Sequence, residues 1–565
     1  MDFTIIGGGA SGTATLLQLA RALGGGAAGG SADPGRFRVR VVEREDAFGP
    51  GFPHADRNAL PFHLINMCAR DMGVLDGRPE DFQDWLDERR PALARDFPGY
   101  RPFLESPWLR DGACTYVPRG VMGVYLEERF RESADRLRRL GASVTLLPGW
   151  EAEDLREEGG ALRVFLRRAG GGETRVLATD RVLLATGHWF DASPDGRFFP
   201  SPWPPRSLAE AVPPGARVGV IGTSLSALDA ALTLTADGAF VRGASGGLAY
   251  RPSGRPRSIT LYSRSGLLPR VRGRAGPYRN VHLTRAGLRE RRLANGGVLF
   301  LEDLYELLDA DLRRCYGRAV DWKGAVRPRG TPRALLEGHL REARCGDGPG
   351  GELRWQTVLH QTFPMAREVY LQLSPADRER FDRELTTPFF LFASPMPPAN
   401  AEKLLALMRA GVVRVVRLGS SYSLDRGRGE PPFVFRYTDP EGRTREEPCS
   451  HVVDARGQKR SFETNPAPLA GNLLASGTVR IETLHLPGSA NRVYKTGAVW
   501  VDPETHRVMQ GAPGGPGRVS PRIYAMGAPT RGQILDASMA HSCAHAAAVV
   551  VRDLLRSLSP PQQAL

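Results

Sequence analysis

The chain opens MDFTIIGGGASG, a short apolar run and three consecutive glycines, followed by Ala10, Ser11 and Gly12 and by TATLLQLARAL, whose apolar residues recur at helical period. Strand, glycine turn and helix in immediate succession leave few folds open. Such a turn presents free backbone N–H groups at a helix N-terminus, a ready site for phosphate. Gly7 permits the tight turn, Gly9 lets a pyrophosphate approach the backbone, and Gly12 lets the helix pack close to the strand. The spacing therefore predicts a dinucleotide cradle, the alternative being a structural turn in a chain with 65 glycines. A cradle of this kind needs a second strand ending in an acid that accepts hydrogen bonds from a ribose. RFRVRVVERE supplies Glu43, 31 positions beyond Gly12, and the glycine-rich insertion at 24–35 accounts for the extra length. An apolar strand at Phe3 to Ile6 leaves no room for the basic start of a signal peptide.

The same grammar returns at ARVGVIGTSLSALDAALTL, from Ala216, where Gly222, Ser224 and Ala227 stand at the three glycine positions. The strand SITLYSRSG ends in Arg264 where the first unit carries an acid. Arginine there suits a ribose 2′-phosphate and favours NADPH over NADH, although a solvated strand-end Arg reads the same way in an Arg-rich chain. DRVLLATGHWF, HVVDARGQKR and PRIYAMGAPTRGQ each run from a strand into a glycine turn, the last through Gly527 into the helix ASMAHSCAHAAAVVVRDLL. Turns of this kind carry a chain between two dinucleotide units and back. The predicted fold class is α/β, with two Rossmann-like dinucleotide-binding domains and a helical insert. Residues 275–415 read as that insert, covering the active site or serving as a packing or dimerisation element.

With 565 residues the chain should hold about two to four domains. No apolar run approaches the roughly 18 residues of a membrane span. The net charge of +14 comes almost wholly from arginine, since only Lys323, Lys403, Lys459 and Lys495 break the pattern, and the charges are scattered rather than striped. That argues against a nucleic-acid surface and for an anionic small ligand. Six cysteines lie far apart without a CxxC pair, which predicts reduced thiols in a cytoplasmic protein, a redox-active disulfide being the less favoured reading. His541 and His545 share one helix face, but no third ligand accompanies them, so no metal is expected. No P-loop is present.

GGGASG, GPGFPHAD with HLINMCARDM (49–72), FPSPW (199–203), GTSLSALDAA (222–231), TLYSRSGLLP (260–269) and DARGQKR (454–460) resemble the bacterial FAD/NAD(P)-binding flavoproteins allied to flavin-dependent N-monooxygenases, a group that includes nitrosuccinate-forming L-aspartate N-monooxygenases. The resemblance implies an FAD domain built from residues 1–190 and 461–565, with an NAD(P)H domain from 191–274 and 416–460 set between them. By position, Gly7, Gly9, Gly12 and Glu43 would hold the ADP half of FAD. Gly51, Leu64 and Asn66 would lie along the isoalloxazine, and Gly527 would sit by the flavin. Gly222, Thr223, Ser224, Ser226 and Arg264 would take NADPH. Gly527 is followed by Ala528 where many flavoproteins have Asp, so the group that binds the FAD phosphates or ribityl chain there is open.

The implied chemistry is hydride transfer from NADPH to FAD, reaction with O₂ to a C4a-hydroperoxyflavin, and N-hydroxylation of a small primary amine or amino acid, for which L-aspartate is one choice. Asn66 is the catalytic candidate, because an amide both donates and accepts, and a turn-stabilising Asn is its alternative. His54 and His63 flank that segment as proton-shuttle candidates or structural histidines. Two other functions stay open: an FAD-dependent NAD(P)H reductase without oxygen insertion, and a non-catalytic redox-sensing flavoprotein. The expected partners are a small amine or amino-acid substrate and O₂, with neither nucleic acid nor membrane.

Overall fold

The computed structural model describes residues 1–25, 33–111, 114–191, 193, 196–244, 246–319, 321, 324, 326–327, 329–427, 429–488, 492–511 and 517–558. Most of the glycine-rich insertion, residues 26–32, lies outside them.

Two parallel sheets organise the chain. The first has six strands in the order Arg507–Gln510, Arg518–Ala525, Arg181–Leu184, Asp2–Ile6, Arg38–Glu43 and Ser143–Pro148. All pairings are parallel except that of the outermost strand, Arg507–Gln510, with Arg518–Ala525. Its central strands are buried on both faces, as a sheet covered by helices requires, and they read as nearly continuous Val, Ile and Leu. The second sheet is parallel throughout, in the order Phe198–Phe199, His451–Asp454, Arg217–Ile221, Ser258–Ser263 and Val413–Arg417.

The two units repeat one plan. Each begins with a strand, a glycine turn and a helix, Ala10–Leu23 in the first and Leu225–Leu234 in the second. Each later inserts a three-stranded antiparallel meander, Trp150–Glu158 to Thr174–Thr179 and Tyr422–Arg426 to Thr444–Cys449, just ahead of the strand that leaves for the other unit. The Ala-rich last helix, Ala540–Arg556, returns to the first unit and buries Cys543, Ala546, Ala547 and Val550 in one core with Ala14, Leu16 and Leu19. Small side chains there let two helices approach closely over the sheet.

The helices between 285 and 409 divide between two cores. Pro332–Cys345 and Pro398–Arg409 bury Leu336, Leu340, Ala401 and Leu404 against the second sheet. Arg285–Ala294, Leu301–Tyr316 and Phe363–Gln372 form a separate cluster that takes in Leu535 of the first unit. Asp311, fully buried, holds the entry to this cluster by accepting from the backbone N–H groups of Val281, His282 and Leu283. No helix among the described residues is long and apolar enough to cross a membrane.

Candidate active site

In a parallel sheet the register decides which turns share an edge. Ile6 pairs with both Val42 and Leu184, and Leu184 pairs with Ala525, so Gly7, Glu43, Ala185 and Met526 all leave the first sheet at its carboxyl edge. Gly7 N–H donates to Val42 O (2.8 Å), Ala185 N–H to Ile6 O (2.8 Å) and Met526 N–H to Leu184 O (3.1 Å). In the second sheet Ile221 pairs with Asp454 and Tyr262, which brings Gly222, Ala455 and Ser263 to one edge. Ligands of doubly wound sheets bind outside such edges.

The glycine turns are tight for stated reasons. Gly7 has φ +109°, and a Cβ on it would stand 2.1 Å from Ala185 O; a Cβ on Gly12 would stand 2.3 Å from Gly7 O. A Cβ on Gly9 would meet Gly51 Cα at 3.1 Å, so Gly51 backs the glycine turn. Glu43, whose pKa burial raises, accepts from Gly8 N–H (2.8 Å) and Glu45 N–H (3.0 Å) and closes the turn while keeping lone pairs for a ribose. Gly222 repeats Gly7, with φ +127° and a would-be Cβ 2.7 Å from Ala455 O.

Of the remaining second-unit residues, Thr223 donates its hydroxyl to Leu267 O (2.6 Å), which commits it to the loop. Ser224 stands at the helix N-cap without a side-chain capping bond, and Ser226 is half-buried. Arg264 is exposed, with no side-chain partner among the described residues.

Leu64 is buried with Leu109 and Tyr116, while Asn66 is half-buried with its amide unpartnered among the described residues. His63 accepts from Leu60 N–H (3.2 Å) through Nδ1, and its Nε2 meets Thr233 Oγ1 (3.1 Å) on the second unit's first helix. Nδ1 thus holds its own turn while Nε2 docks the units together, and burial pushes its pKa down to about 4. Arg119, 2.7 Å from the buried Asp229 of that helix, ties the same joint.

The structure also brings together residues that sequence reasoning did not single out. His188 directly follows the turn Ala185–Gly187. Burial, with Arg531 and His54 adding, pushes its pKa down to about 3, and burial with Arg119 lowers His54 to about 4. Arg531, four residues past Gly527, donates through Nη1 to Gln458 Oε1 (3.1 Å) and Gln458 O (3.5 Å). That bond joins a loop leaving the first sheet to one leaving the second, so the two carboxyl edges meet here. Asp382 lies on a π-helical turn, Phe381–Leu385, of the helical insert and is 4% exposed. It accepts from Tyr370 (2.6 Å), Tyr494 (2.5 Å) and Arg460 (2.8 Å). Arg378, one turn earlier, makes a two-pronged pair with Glu482 (3.1 and 2.7 Å) and donates to Gly532 O (3.1 Å). The helical insert is thereby fastened over the loop that carries Arg531.

Whether this edge fits a flavin dinucleotide is tested by its polar atoms. His54 Nδ1, Thr186 Oγ1, Trp189 Nε1 and Asp536 Oδ1 are buried without a hydrogen-bond partner among the described residues. All lie on the turns that leave the first sheet's edge or beside them, and buried polar groups are ordinarily satisfied. Orphaned donors and acceptors beside a glycine cradle fit a polar ligand held along that edge.

His541 bonds Asp536 (2.8 Å) and His545 lies 3.7 Å from Asp76, so both histidines face carboxylates. One expectation is corrected. Cys68 and Cys114 form a disulfide with Cα atoms 5.1 Å apart, so the thiols are not all reduced. A separation of 46 residues hides this pair from spacing arguments; the fold brings the short strand Cys114–Thr115 beside the turn Ala69–Asp71.

Comparison with known proteins agrees with this geometry. Residues 4–189 match the family described as FAD-NAD(P)-binding. The chain is 28% identical over 510 residues to an L-aspartate N-monooxygenase (nitrosuccinate-forming) of Streptomyces cremeus, covering 74% of this chain and 72% of that one. It is 23% identical over 490 residues to the uncharacterized protein YdhS of Escherichia coli K12, covering 83% and 85%. The fold is shared with the reduced form of ornithine hydroxylase from Pseudomonas aeruginosa, at TM-score 0.52 and 14% identity over 99% of each chain.

Proposed function

We propose, on the premise that residues 4–189 match the FAD-NAD(P)-binding family, that the chain is an FAD- and NADPH-dependent monooxygenase that N-hydroxylates a small primary amine or amino acid. L-Aspartate is the first candidate, because Streptomyces relatives bearing that activity in their names match most of this chain, one of them over 93% of it. The observation that carries the reading is the meeting of two dinucleotide-type carboxyl edges under a helical cover, at Arg531 and Gln458 below Asp382.

We assign FAD to residues 1–190 and 461–565 and NADPH to 191–274 and 416–460. When bound, the flavin supplies hydride acceptance and oxygen activation. The chain's own residues do the rest. Backbone N–H groups of Gly9 to Gly12 take the pyrophosphate, Glu43 the ribose, and Arg264 the 2′-phosphate. Asn66, with a free amide, holds a polar group at the flavin edge, and Gly51 backs the pyrophosphate turn. Gly222, Thr223, Ser224 and Ser226 form the second phosphate cradle, and Gly527 brings the last loop to the flavin. The helical cover excludes water, which this chemistry requires. Arg460 and Arg531 place positive charge beside the crevice, and like charge favours the neutral, nucleophilic form of an amine.

The test supplies FAD-loaded protein with NADPH, O₂ and a panel of amino acids and amines, and counts hydroxylamine formed per NADPH oxidised. Amine-dependent hydroxylamine supports the reading. NADPH oxidation that yields no hydroxylamine with any amine refutes it in favour of a reductase.

A further inference from the structure

Arg531 stands out because its charge has no assigned counterpart. The nearby carboxylate, Asp382, is committed to Arg460 and to the hydroxyls of Tyr370 and Tyr494. Glu482 is committed to Arg378. His188, whose pKa the Arg531 charge helps to lower, is neutral and offers it no counter-charge. Two guanidinium groups thus share one carboxylate, and burial with Arg460 alongside lowers the Arg531 pKa to about 10. A cation in that position is stabilised by an incoming anion.

The donor geometry is specific. Only Nη1 is engaged, with Gln458. Nε and Nη2, which share one edge of the guanidinium, are unpartnered among the described residues, and that edge is the one that grips a carboxylate with two parallel hydrogen bonds. Gln458 fixes the opposite edge, so the fork is preorganised.

We propose that Arg531 grips a carboxylate of the substrate, so that the amine hydroxylated here belongs to a carboxylate-bearing molecule and not to a bare alkylamine. The proposal rests on reading this crevice as the N-hydroxylation site. A phosphate of either nucleotide would offer the same chemistry, but each already has its own cradle, at Gly9–Gly12 and at Gly222–Ser226. The arms of the test separate these sources.

Oxidised, FAD-loaded protein is titrated with succinate, a dicarboxylate that cannot be N-hydroxylated, and the flavin absorbance difference is followed. The comparison set is wild type, Arg531→Met and Arg531→Lys, with FAD content and NADP⁺ affinity measured on each. Arg531→Met should keep FAD and NADP⁺ and bind succinate about tenfold more weakly or worse. Arg531→Lys, which keeps the charge and loses the fork, should fall between, and it carries the test if the Met variant does not fold. Three results overturn the proposal: succinate without effect on wild type, equal succinate affinity in wild type and variants, or a folded variant that loses FAD or NADP⁺ instead of succinate. If succinate binding depends on Arg531 in a protein that makes no hydroxylamine, the carboxylate site stands and the hydroxylation reading falls.

Discussion

Replacing Arg378 with Met tests whether the helical cover is fastened by its buried charges. The Arg378 and Glu482 side chains are only 5% and 6% exposed, and two hydrogen bonds of 3.1 and 2.7 Å join them. Removing one member of such a pair strands the other charge in a poorly solvated site, at a cost of about 3–5 kcal/mol. At about 1.4 kcal/mol per tenfold, local opening of the cover should become roughly 10²- to 10⁴-fold more frequent. Hydrogen exchange of amides in Phe363–Gln372 reads this directly.

Arg378→Met combined with Glu482→Leu should recover most of the loss, because no charge is left unpaired. Wild-type exchange rates in the single variant, or a double variant as open as the single, would refute the reasoning.

Gly9→Val should abolish FAD retention, since the new side chain would occupy the space between Gly9 and Gly51, where a Cβ already meets Gly51 Cα at 3.1 Å; the flavin-to-protein absorbance ratio after purification checks it. Arg264→Ala should raise the KM for NADPH about tenfold or more while leaving that for NADH near its original value, as initial rates with each coenzyme will show. Reduction with dithiothreitol should lower the melting temperature through loss of the Cys68–Cys114 bond, whose 46-residue loop is worth up to about 4 kcal/mol, and Cys68→Ala/Cys114→Ala should not respond to the reductant. Stability should fall as pH drops from about 6.5 towards 4. The unfolded chain then takes protons on His54, His63 and His188 that the folded chain, with those pKa values pushed down to about 4, 4 and 3, does not; melting curves across that range test it.

What the sequence made legible follows from periodicity and local turn chemistry. The strands at Asp2–Ile6 and Arg217–Ile221 and their helices announce themselves, because strand, glycine and helix are adjacent in the chain. So do the strands Arg181–Leu184, His451–Asp454 and Arg518–Ala525 that end in glycine turns. Contacts between distant segments are invisible by the same logic. The disulfide joins residues 46 apart, His63 docks on Thr233, 170 positions away, and Asp382 meets Tyr494 across 112. Motif position likewise gave no sign that the Thr223 hydroxyl bonds Leu267 O or that Gly51 packs on Gly9. Arg531 lay inside a quoted motif but could not be told apart among so many arginines. What distinguishes it is a charge balance, two guanidiniums to one saturated carboxylate, and such a balance exists only once the insert, the linker and the C-terminal loop are folded against one another. In a chain this rich in one cation, a candidate for gripping an anionic substrate is therefore found by asking which buried cation the fold leaves unmatched.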